Sequence, residues 1–102
     1  MDIVYASLDR RPGTAPAAAD EAAQALDTLW THATPDDGLE HASACVEPAR
    51  IDLLLFLLPT HPQTGAQDPV RRTADLLDRC YRGSTTLRLR YLPPVPAPSA
   101  PC

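Results

Sequence analysis

The sequence contains no lysine and no asparagine, and all nine of its basic residues are arginine. With alanine and proline abundant, this pattern is the codon bias of a GC-rich genome and not a selection for arginine chemistry. Cysteine is scarce and odd in number, Cys45, Cys80 and Cys102, with no C-x-x-C spacing. Neither a disulfide framework nor a structural zinc site is expected from this, and the expectation is reduced thiols with at least one in the core. No apolar run approaches the roughly 20 residues of a membrane span. Met1-Asp2-Ile3 leads straight into a strand-like run without a charged and apolar leader, which predicts a cytoplasmic protein. Positive charge is not in excess either: the formal net charge of -4 offers no long-range attraction to nucleic acid or anionic lipid. The motifs G-x-x-x-x-G-K, G-x-G-x-x-G, G-x-S-x-G and H-E-x-x-H are all missing. The sequence therefore nominates no catalytic residue, no metal and no cofactor.

What the sequence does have is the stretch Arg50 to Pro59, R-I-D-L-L-L-F-L-L-P. Its length is that of a strand, and its lack of alternation marks a strand buried on both faces. Asp2 to Leu8 precedes it as a first strand, followed by a Pro- and Gly-punctuated loop. Ala17 to about Ala33 is an Ala-rich helix with Ala22, Ala25, Leu26 and Leu29 on one stripe and Trp30 at its edge. Leu39 to Glu47 is a weaker strand, and Pro48-Ala49 turns it into the central run as a hairpin. After the loop Pro59 to Gln67, Asp68-Pro69 gives an N-cap acceptor and a proline at the first helical position. This opens a second helix that stops at Gly83. Val70, Ala74, Leu77 and Tyr81 form its apolar stripe, with Thr73, Leu76 and Cys80 beside it. Ser84 to Leu92 alternates as a last strand.

The order β-α-β-β-α-β predicts an α+β fold: a ferredoxin-like two-layer sandwich with a four-stranded antiparallel sheet and two helices on one face. Residues 1–92 form the single domain. Residues 93–102 hold five prolines and form a Pro-rich disordered tail or truncated linker.

Parity divides the central run. Ile51, Leu53, Leu55 and Leu57 face the helices, because Asp52 is costly to bury there. Asp52, Leu54, Phe56 and Leu58 then look out from the open side, beside Ile3, Tyr5 and Ser7, beside His41, Ser43 and Cys45, and beside Arg88, Arg90 and Leu92 of the last strand. An apolar centre with a polar rim is left. Exposing it forfeits roughly 1.5–3 kcal/mol per large side chain, so something covers it.

The leading expectation is a non-enzymatic interaction or oligomerisation module, acting as a homodimer or as a partner domain in a larger protein. Its face is Tyr5, Leu54, Phe56, Leu58, Arg88 and Arg90. The alternative is a small-ligand-binding protein or cofactor-independent enzyme, with its pocket against the sheet and a site at His61 and Asp52. Tyr5 and Phe56 also occupy the strand positions that RNA-recognition modules use for stacking, but the acidic charge and the missing basic signature speak against nucleic acid. His41 and Cys45 are too far apart on a strand, roughly 13 Å, to share a metal ion. Asp52 is expected to pair with Arg88 or Arg90. Arg10-Arg11 reads as an exposed loop pair, and Arg71, Asp75, Asp78, Arg79 and Arg82 as a solvated helix face.

Overall fold

The computed structural model describes residues 2–15, 20–59 and 68–94. In chain order these form β1 (Asp2–Asp9), α1 (Glu21–His32), a 3-10 turn (Pro35–Asp37), β2 (Leu39–Val46), β3 (Arg50–Leu57), α2 (Pro69–Gly83) and α3 (Thr85–Arg90). The fold is α+β. The three strands make one antiparallel sheet in the order β1-β3-β2, with the apolar run at its centre. This order is compatible with a ferredoxin-like arrangement.

Local chemistry explains most of the elements. Pro48-Ala49 closes the β2–β3 hairpin, with the Glu47 amide donating to the Arg50 carbonyl at 2.8 Å. The Asp68 carboxylate caps α2 by accepting from the Arg71 amide at 2.8 Å, one proline before the helix proper. A bulge between Leu39 and His41 leaves Glu40 out of register at the outer edge of β2. Gly38 ends the 3-10 turn at φ +70, a left-handed geometry that favours glycine.

Ile51, Leu53, Leu55 and Leu57 are all buried, each contributing about 1.5–3 kcal/mol. They join Val4 and Leu8 of β1 and Ala42 of β2 in one cluster with Leu29 of α1, Leu76, Leu77 and Cys80 of α2, and Leu87 of α3. The parity assigned to β3 therefore matches the burial of its side chains. On the helices two large residues depart from expectation: Val70 is exposed, as is Trp30.

The last element differs most. Ser84 to Leu92, expected as a strand, is instead the short helix α3 followed by an isolated antiparallel bridge between Tyr91 and Arg10. The Ser84 side chain accepts from the Leu87 amide at 3.2 Å, an N-cap that starts a helix just where the strand was expected. What remains of the fourth strand is two backbone bonds: Leu92 N–H to Asp9 C=O at 2.8 Å, and Arg11 N–H to Arg90 C=O at 2.9 Å. The Pro-Pro pair that follows cannot donate to a ladder. The tail beyond Pro94 and the loop 60–67, with His61, lie outside the described residues, as does Cys102.

Candidate functional site: the open sheet face

The register lines up the outward side chains in three rows. Ile3, Phe56 and His41 form one, Tyr5, Leu54 and Ser43 the next, and Ser7, Asp52 and Cys45 the third. Directly opposed side chains on antiparallel strands approach to about 4.5–5.5 Å at Cβ, so each row is a set of contacts. Ile3 is 62% exposed, Tyr5 60% and Leu54 39%, while Phe56 is half-buried and Leu58 exposed. Part of the cover on Phe56 is His41, whose ring stands 5.3 Å away, tilted by 51°.

Polarity runs along the strands. The end bearing Ile3, Phe56 and Leu58 is apolar. The other end is organised on Asp52, whose Oδ1 accepts from the Tyr5 hydroxyl at 2.6 Å and from Arg50 Nε at 2.8 Å. Those two bonds, Tyr5's first, hold the Asp52 carboxyl below its ordinary value. Cys45 lies on the same row, and its thiol is raised by the hydrogen bond it makes to Glu47 at 3.6 Å.

Tyr5, Leu54, Phe56, Leu58 and Asp52 are thus brought together on one face. Arg88 and Arg90 are not, because their segment is helical. Arg88 reaches the Tyr81 carbonyl at 3.0 Å and Thr85 Oγ1 at 3.2 Å. The expected Asp52 ion pair with Arg88 or Arg90 is replaced by Arg50, two residues away on the same strand face. Among the described residues there is no group of three His, Cys, Asp or Glu side chains placed to hold a metal. No helix among them is long and apolar enough to cross a membrane. On the helix side, a cavity of about 10 Å³ is lined by Leu8, Ala25, Leu29, Ile51, Leu53, Leu77, Cys80 and Leu87. It is apolar and water-sized, too small for an organic ligand.

Two charged clusters lie away from the face and were not anticipated. Arg10, read as an exposed loop residue, is buried against Glu21 and over the ring of Tyr91, 5.3 Å to its centroid. Arg79, read as part of a solvated face, pairs with Asp37 at 2.5 Å, while Arg71–Asp75 and Arg82–Asp78 do form the exposed i,i+4 pairs. Helical spacing held the missed signal: Glu21 shares a row with Ala25 and Leu29, and Arg72 with Leu76 and Cys80. Comparison with family models, with curated proteins and with solved structures finds no match for this chain.

Proposed function

We propose that the protein is a non-enzymatic interaction module that self-associates through the open face of its sheet. The observation that supports this is the contiguous patch of Ile3, Tyr5, Leu54 and Phe56, set side by side by the strand register, with Leu58 exposed just past the end of β3. A second copy fits because it offers the same apolar end to the same apolar end about a two-fold axis, with the sheets packed about 10 Å apart. Size bounds the strength. Three strands of eight residues give a face roughly 26 Å by 14 Å, short of the ~800 Å² per partner of a standard interface. Association is then weak and concentration-dependent, not obligate. In this proposal the fold is ferredoxin-like with its fourth strand cut down to the Arg10–Tyr91 bridge, and the shortened edge leaves Ile3 and Tyr5 reachable.

The test is solution mass by light scattering across a concentration series in reducing buffer, for wild type, Phe56→Asp and Leu54→Asp. A wild-type dimer that both substitutions split, with unchanged circular dichroism, supports self-association. A wild type that stays monomeric throughout, or a dimer indifferent to both substitutions, overturns it.

A further inference from the structure

Arg72 is only 7% exposed, and its position on α2, one turn before Leu76 and two before Cys80, turns it toward the protein interior. Its Nη1 donates to the Asp37 carbonyl at 3.1 Å. Nε and Nη2, which make up the side-on edge of the guanidinium, are buried with no hydrogen-bond partner among the described residues. The hydroxyl of the next residue, Thr73, is likewise buried and without a partner among the described residues.

The counter-charge that would satisfy Arg72 is committed elsewhere. Asp37 gives Oδ1 to Arg79 and Oδ2 to the amide and hydroxyl of Thr34. Two guanidiniums seven residues apart on α2 therefore converge on one acidic residue, and Arg72 receives only its backbone oxygen. All thirteen Asp and Glu side chains lie in the described segments, and none of the ion pairs among those residues includes Arg72. A buried guanidinium with three of its five N–H donors bare is costly, and a bidentate oxyanion relieves both bare nitrogens at once.

We propose that this corner, where the 3-10 turn meets α2, is an oxyanion site. Arg72 holds a carboxylate or phosphate group on its Nε–Nη2 edge. The edge is preorganised: Nη1 is tied to Asp37, and the guanidinium is packed so closely on Gly38 that a Cβ there would stand 2.8 Å from Nη1. The site belongs to the helical layer and is independent of the sheet face.

The experiment titrates inorganic phosphate, and separately acetate, into wild type, Arg72→Met and Arg72→Lys at constant ionic strength. The readouts are the Arg72 Nε–H resonance and the melting temperature. At ten times its dissociation constant the anion should raise the wild-type melting temperature by about 6–11 °C and shift the Nε–H signal. Arg72→Met should lose the response, and Arg72→Lys, which keeps the charge without the fork, should weaken it. A response to phosphate alone assigns a phosphoryl group, and one to acetate alone a carboxylate. A wild type that responds to neither anion, or a response that survives Arg72→Met, overturns the site. The wild-type resonance decides the question even if a variant fails to fold.

Discussion

Arg10 and Glu21 form an ion pair at 2.6 Å with side chains only 2% and 1% exposed, joining the residue after β1 to the first residue of α1. The Tyr91 hydroxyl also donates to Glu21 Oε2, and Arg10 Nε donates to the Pro48 carbonyl at 3.1 Å. The cluster therefore ties together the end of the first strand, the start of the first helix, the hairpin turn and the C-terminal bridge. Removing one charge strands the other. Glu21→Ala should cost about 3–5 kcal/mol in urea unfolding, and the double change Arg10→Met with Glu21→Leu should recover most of it. Tyr91→Phe, which removes one bond to a charged acceptor, should cost about 1.5–3 kcal/mol. A Glu21→Ala protein as stable as wild type would show that the pair carries no weight in the fold.

Asp52 gives a pH dependence. Its folded pKa lies below the ordinary 3.8, so folding favours the ionised form. The stability this supplies is complete above that ordinary value and is lost as pH falls through the lower folded one. Tyr5→Phe removes the hydroxyl that does most to lower this carboxyl while keeping the ring in its row. The Asp52 titration midpoint, followed by carboxyl carbon NMR, should then move up toward 3.8. An unmoved midpoint would assign the shift to Arg50 alone.

The sheet was legible because β3 carries its burial in its parity: a single aspartate in an otherwise apolar run decides which side faces water. The hairpin and α2 were equally readable from Pro48-Ala49 and Asp68-Pro69, where local chemistry and tertiary packing agree. The segment Ser84 to Leu92 was not, since its alternation fits a strand while Ser84 offers a helix cap and Leu87 and Tyr91 also stand at helical spacing. Sequence pattern alone could not weigh those against each other. Arg10, Glu21 and Arg72 were missed for a different reason. A charged side chain reads as exposed by default, and only the placement of its partner, or the lack of one, reveals that it is buried.

The two described thiols should separate by rate. Desolvation first of all pushes Cys80 up to about 11, so it is a buried, protonated thiol at neutral pH. That preference for the thiol form adds stability below the ordinary 9.0, which is lost as pH rises past it. Cys45 is exposed but raised by Glu47. In a Cys102→Ser background, alkylation should proceed in a single native phase at Cys45, faster in Glu47→Gln, with Cys80 reacting only on unfolding. Rapid native labelling of Cys80 would contradict its place in the core.

The pairing beside β1 is an isolated bridge at Arg10 and Tyr91, and beyond Leu92 it runs out of hydrogen-bond donors. Arg10 N–H points inward to the Ala49 carbonyl, while Leu92 N–H donates to the Asp9 carbonyl from the outer side. Alternation along β1 then places the next outer acceptor at Ser7, opposite residue 94 in the register set by the Arg10–Tyr91 bridge. Residue 94 is proline and has no N–H to give. Pro94→Thr supplies that donor and a residue suited to strands. It should lengthen the ladder by one bond, worth up to about 1 kcal/mol. The new amide at position 94 should be protected in hydrogen exchange and show a cross-strand contact to Ser7. An amide that exchanges as fast as an unstructured peptide would mean that Pro94 is not what stops the strand, and that the Ser84-capped helix alone sets its limit.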